Sequence, residues 1–180
     1  MAPQTSIKLT YEDYAAIPDD GRRHEIIDGE HYVNPSPNTK HQLVSIRLVS
    51  TLFYFVRDEG LGHVFNAPFD VVFTEHDIVE PDILFVSNAR AHIITDQNIQ
   101  GVPDLLIEIL SPSNHRYDKR VKYETYERAG VPEYWIVDPD EDVIHVYRLH
   151  SGKFVAIDTG DTLTSPLLPG FTLLVRELFE

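Results

Sequence analysis

The sequence predicts a mixed α/β (α+β) chain, a central mixed β-sheet flanked by helices, organised as one domain over residues 1–180. Three observations predict it. A long segment, 38–59, lacks Pro and Gly and carries apolar residues at helical spacing. Strand-length apolar runs lie on both sides of a second helical stretch, as a sheet covered by helices requires. No internal repeat, low-complexity tract or linker divides the chain.

Taken in order, Thr10 followed by Asp13 reads as an N-cap with an acidic first turn, opening a short helix that Pro18 closes. Asp19-Asp20-Gly21 is a turn, and HEIID and EHYVNP form a hairpin around Asp28-Gly29, a pair suited to tight turns. The helix over 38–59 places Leu43, Ile46, Val49, Leu52, Phe53 and Val56 on its apolar face and ends at Gly60. HVFN, FDVVFTE, DIVEPDILFV and DLLIEIL follow as strands. After the SPSN turn, a helix starts near Asn114 and runs to Gly130. EYWIVD, VIHVYRL and KFVAID close the sheet, the last two joined at His150-Ser151-Gly152.

Composition narrows the chemistry. With 42% hydrophobic and 24% charged residues, the chain has the make-up of a globular core and surface. It has no 18-residue apolar run, and its opening MAPQTSIKLTYEDY has neither a basic n-region nor an apolar h-region, so the expectation is a cytoplasmic protein without membrane contact. The absence of cysteine excludes disulfides and thiolate zinc sites, leaving His and carboxylates as strong metal ligands. A net charge of −14 argues against a surface that binds polyanions everywhere. Five of the 15 basic residues (Arg116, Lys119, Arg120, Lys122, Arg128) nevertheless fall between 116 and 128, either as a local positive patch or as a solvated helix face laced with Asp118, Glu124 and Glu127.

Glu108 stands inside LLIEIL. Alternation puts Leu106, Glu108 and Leu110 on one face and Leu105, Ile107 and Ile109 on the other; both are apolar, so the strand is central and its carboxylate needs a partner. In VEPDILFV, Pro81 sets Asp82 at the mouth of a second apolar strand. If the strands are neighbours, the two acids lie about 5 Å apart, unfavourable for two anions but suited to a hard divalent cation such as Mg²⁺ or Mn²⁺, held with a backbone carbonyl (that of Ile109) and waters. A plainer account pairs Glu108 with a core-facing Lys or Arg and has Asp82 cap its own turn. On the next helix Arg116, Lys119, Lys122 and Tyr126 share a face, so Lys122 can neutralise Glu108, orient a water or stabilise developing phosphorane charge; otherwise it pairs with Asp118.

GRRHEIIDGE, EPDILFV, PDLLIEILSPSN and RYDKRVKYETYERAGVPEYWIVDPD together resemble the Uma-two family of restriction-endonuclease-like proteins, within the PD-(D/E)XK nuclease superfamily. The resemblance covers nearly the whole chain. It implies a restriction-endonuclease-like fold and Mg²⁺- or Mn²⁺-dependent hydrolysis of DNA, with Asp82 and Glu108 as the metal-binding acids. The position two residues after the second acid, where the superfamily carries its lysine, holds Leu110; Lys122 resembles the lysine that related families move to the following helix. Glu25 resembles the early glutamate of such sites, and His41 a polar residue at the site mouth. Glu25 as a hairpin-edge residue paired with Arg22 or Arg23, and His41 as a helix-surface histidine, are the alternatives. Ser111 and Ser113 resemble the family's SPS turn and are explained by capping; Tyr126, Tyr134 and Trp135 are explained by packing.

Two other functions are consistent with these residues: a non-catalytic or regulatory nucleic-acid- or protein-binding module that keeps the fold, and a purely structural salt-bridge network. The resemblance implies a homodimer, for which the apolar stretch LLVRELF offers a face, although packing of that stretch on its own sheet accounts for it equally well.

Overall fold

The computed structural model describes residues 7–111 and 117–180, with the side chains of 117–119 left aside. The expected cap on the N-terminal helix is present: Thr10 accepts from the Asp13 backbone while Asp13 bonds back to the Thr10 N–H, starting α1 (Tyr11–Ala15). β1 (Arg23–Ile27) and β2 (Glu30–Asn34) pair antiparallel around Asp28 and Gly29, both at positive φ, as a tight two-residue turn demands.

α2 (Thr39–Asp58) is N-capped by Asn38, and its buried face matches the expected one only in part: Leu52 and Val56 are buried and Val49 packs against the core, but the rest of the face is rotated. Val44, Leu48, Leu52 and Val56 are buried, whereas Leu43, Ile46 and Phe53 are exposed at 47%, 59% and 46%. The helix carries apolar residues on two sides, so periodicity alone admits two stripes; the four-residue row from Val44 to Val56 is the one the sheet covers.

Beyond α2 come β3 (Gly62–Asn66), β4 (Val71–Thr74), β5 (Asp77–Val79) and β6 (Ile83–Ser87). The expected single strand DIVEPDILFV is two strands in two different sheets, with Glu80-Pro81-Asp82 as the corner between β5 and β6. Pro81, lacking an N–H, suits a segment that leaves one ladder and joins another. A 3₁₀ turn (Asn88–Ile93) and β7 (Ile99–Gln100), both unread in the sequence, lead to β8 (Leu105–Ile109). α3 is described from Tyr117 to Ala129, and the expected helix start near Asn114, with Ser113 and Arg116, lies outside the described residues. β9 (Glu133–Asp138), β10 (Val143–His150), β11 (Lys153–Ile157), β12 (Thr162–Leu163), β13 (Leu173–Leu174) and α4 (Val175–Phe179) complete the chain.

Where one sheet was expected, the described residues form two larger ones: β2-β1-β5-β4-β7, and β11-β10-β9-β8-β6-β3, with a small β12-β13 pair. The six-stranded sheet is mixed, β8 and β9 running parallel between antiparallel neighbours. β8 is central, as its two apolar faces require. Leu105, Ile107 and Ile109 pack with the buried row of α2 and with Leu178 of α4, while Leu106 and Leu110 pack on the other side with Val71 and Val79 of the five-stranded sheet and Tyr126 of α3. LLVRELF packs on this core, burying Leu173 and Leu178. Among the described residues no helix is long and apolar enough to cross a membrane.

Candidate active site

The register of β6 on β8 positions the two acids. Ile83 faces Ile107 and Leu84 faces Leu106, so Asp82, just before Ile83, and Glu108, just after Ile107, come to the same end of this pair of strands, and both line one pocket. Each is 93–95% buried, and each has partners supplied from elsewhere in the fold.

Asp82 is held at both oxygens. Oδ1 accepts from Arg23 Nη1 at 2.8 Å, and Oδ2 from the Ile109 N–H at 2.8 Å, with His41 Nε2 3.2 Å away. Burial would raise its pKa, but the His41 hydrogen bond and the Arg23 charge outweigh it and keep the carboxyl well below its usual range. Asp82 therefore ties two strands together rather than capping its own turn. Glu108 uses one oxygen only: Oε1 accepts from Lys122 Nζ at 3.0 Å and Tyr126 OH at 2.6 Å, and the other oxygen accepts no hydrogen bond from the described residues. Burial, with the Asp82 and Glu25 charges, outweighs Lys122 and pushes Glu108 up to about 7.

Glu25 is not at a hairpin edge. It is 1% exposed, with Oε1 2.9 Å from Lys122 Nζ and 2.7 Å from the Glu80 N–H, and Oε2 accepts from Asn34 Nδ2 at 2.8 Å. Lys122 accordingly lies buried between Glu25 and Glu108; burial alone would lower its pKa, and the two carboxylates raise it instead. His41, expected at the site mouth or on the helix surface, is 6% exposed, and its Nδ1 has no hydrogen-bond partner among the described residues. Of the basic segment's described side chains, Lys122 points inward, Arg120 pairs with Glu124 and Arg128 with Asp77, each of these two at 2.9 Å; the side chains of Arg116 and Lys119 lie outside the described ones.

A pocket of about 50 Å³ opens on this group, lined by Arg23, His41, Asp82, Glu108, Leu110 and Lys122 among others. Leu110, two residues after Glu108, is 7% exposed and belongs to the core.

Sequence reasoning missed three residues here. Arg23 was read as a partner of Glu25, Tyr126 as packing alone, and Asn34 not at all. Tyr126 could have been found, since it follows Lys122 by four residues and so shares its helix face. Nothing in the sequence signals the other two.

Among the described residues no cluster of three or more His, Asp or Glu side chains is arranged to hold a metal ion. The donors present still fit a small hard cation, which takes one or two carboxylates and keeps waters. One Glu108 oxygen is uncommitted. Around this group four carboxyls, Glu25, Glu80, Asp82 and Glu108, outnumber the two permanent cations Arg23 and Lys122.

Two carboxylates at the adjacent ends of neighbouring strands, a buried lysine and the mixed sheet define the class: a restriction-endonuclease-like α/β protein. The fold is shared with the crystal structure of a "putative nuclease belonging to DUF820" from Anabaena variabilis ATCC 29413, at TM-score 0.80 and 24% identity over 95% of this chain and 97% of that one. Residues 11–176 match the Uma2 family, described as "Putative restriction endonuclease", and the chain belongs to that family. It is also 28% identical over 144 residues to "Uncharacterized protein slr1290" of Synechocystis sp. (strain ATCC 27184 / PCC 6803 / Kazusa), covering 78% of this chain and 74% of that protein.

Proposed function

We propose that the protein is a divalent-cation-dependent endonuclease that hydrolyses DNA phosphodiester bonds. Support comes above all from Asp82 and Glu108 lining one pocket at the adjacent ends of β6 and β8, with Lys122 Nζ 3.0 Å from Glu108. Asp82, Glu108 and the carbonyl of Ile109 would hold Mg²⁺ or Mn²⁺. When bound, such an ion supplies Lewis-acid stabilisation of the phosphate and lowers the pKa of the attacking water.

The chain's own groups do the positioning. Tyr126 and Lys122 fix Glu108 through one oxygen, leaving the other to face the pocket. The Ile109 N–H and His41 fix Asp82. Lys122 donates to Glu108 and forms an ion pair with Glu25; of its three N–H groups, one that these contacts leave would meet a phosphate oxygen or the water. Placed beside the phosphorus, that ammonium would offset negative charge as the water oxygen bonds to phosphorus and the sugar oxygen departs.

The test is supercoiled plasmid incubated with Mg²⁺ and either the wild type, Asp82→Ala or Glu108→Ala. Nicking by the wild type that both variants lose is the expected result; equal nicking by all three rejects the assignment. A second reading, a binding module that retains the fold, is favoured by one observation: Asp82 is engaged at both oxygens by protein groups. It predicts intact protein that binds DNA or a partner and leaves the plasmid supercoiled.

A further inference from the structure

The cation nearest Asp82 is Arg23, and its commitments are incomplete. Nη1 donates to Asp82 Oδ1 at 2.8 Å and Nη2 donates to the Glu80 carbonyl. Nε lies 3.3 Å from Glu80 Oε2 without a hydrogen bond. A guanidinium has five N–H donors; two are used among the described residues, though the side chain is only 21% exposed. Arg23 lines the pocket beside Glu108; its Nε is buried against Glu80, so the donors it can offer a phosphate entering there are the uncommitted hydrogens of Nη1 and Nη2.

At Asp82 the same guanidinium takes the place of a metal. Oδ2 is occupied by the Ile109 N–H and faces His41, so Oδ1 is the oxygen through which Asp82 would reach a cation, and Arg23 is on it. Two positive groups cannot share one carboxylate oxygen in a buried site without strong mutual repulsion. Arg23 can leave without losing its anchor, because Glu80 still holds its Nη2.

We propose that Arg23 is an exchangeable counter-ion: it neutralises Asp82 in the metal-free protein, cedes Oδ1 to an arriving divalent ion, and then turns its freed N–H groups to the phosphate. The phosphate half rests on the nuclease reading; the exchange half does not involve DNA. Binding of the ion and the Arg23–Asp82 contact are then negatively coupled, and the sign is distinctive. Removing an ordinary pocket residue weakens a ligand, whereas removing this one tightens it.

The experiment is calorimetric titration of Mn²⁺ into the wild type, Arg23→Met and Arg23→Lys at one ionic strength, with plasmid nicking measured in parallel. Arg23→Met should bind Mn²⁺ more tightly by a factor within the roughly 5–150-fold range of such couplings, Arg23→Lys should fall between, and Arg23→Met should nick more slowly despite its tighter ion. Unchanged or weaker Mn²⁺ binding by Arg23→Met overturns the exchange, and equal nicking overturns the phosphate contact. If Arg23→Met does not fold, the arginine side-chain ¹⁵N signals of the wild type decide: Arg23 should shift as Mg²⁺ saturates, and an unmoved signal overturns the exchange. Tighter binding by Arg23→Met with no nicking by any protein defeats the nuclease reading and leaves the exchange standing. A wild type that takes up neither ion removes both.

Discussion

Lys122 is the residue on which the buried charges depend. Its ammonium lies 2.9 Å from Glu25 and 3.0 Å from Glu108, and all three side chains are 10% exposed or less. Lys122→Met would keep much of the volume and leave two carboxylates without their shared cation. Breaking a buried pair in this way costs about 3–5 kcal/mol, which urea unfolding of the two proteins would measure. A loss below about 0.5 kcal/mol, the range of an exposed i,i+4 helix pair, would mean that Lys122 lies at the surface with Asp118, as the plainer reading of the sequence had it. Glu25 shows what a single sequence conceals at this scale. Its spacing on the hairpin puts Arg22 and Arg23 closest, yet its cation comes from α3.

At the scale of elements, α2 offers a matched comparison within one helix. Leu48 is fully buried in the core with Leu105 and Ile107 nearby in the same cluster, whereas Ile46 is 59% exposed. Leu48→Ala should cost about 2–5 kcal/mol through lost transfer and the cavity left behind, and Ile46→Ala should stay within about 0.5 kcal/mol. Thermal or chemical denaturation of both variants checks this; similar losses would mean that the row from Leu43 through Ile46 is the buried one after all. The helix itself was readable from its composition and from Gly60 beyond its end. Its rotation was not, because the two apolar rows differ only in which of them meets the sheet. The corner at Glu80-Pro81-Asp82 has a similar origin: an apolar run reads as one strand until the other strands compete for its backbone hydrogen bonds.

Across the whole molecule, the candidate site joins elements that are separate in the chain: β1 brings Glu25 and Arg23, α2 brings His41, β6 and β8 border it with Asp82 and Glu108, and α3 brings Lys122. An ion bound there would stabilise the folded state alone. At a hundred times its dissociation constant this adds about 2.7 kcal/mol, which for a chain of this size corresponds to a rise in Tm of roughly 5–10 °C. Wild type melted with and without Mn²⁺ should show that rise, and Asp82→Ala/Glu108→Ala should not. A wild-type melt that ignores Mn²⁺ would reduce the cluster to a salt-bridge network. By itself the sequence determined the local features: the alternation that made β8 central, the proline that set Asp82 at the head of its strand, the cap of α1, the end of α2 at Gly60, and the family motifs. These depend on neighbours a few residues away. The partners of the charges were decided only in the tertiary structure, since Arg23 meets Asp82 across 59 residues and His41 meets it across 41. Side-chain periodicity has no memory over such distances, and the order in which strands join two sheets dictates which buried acid receives which cation.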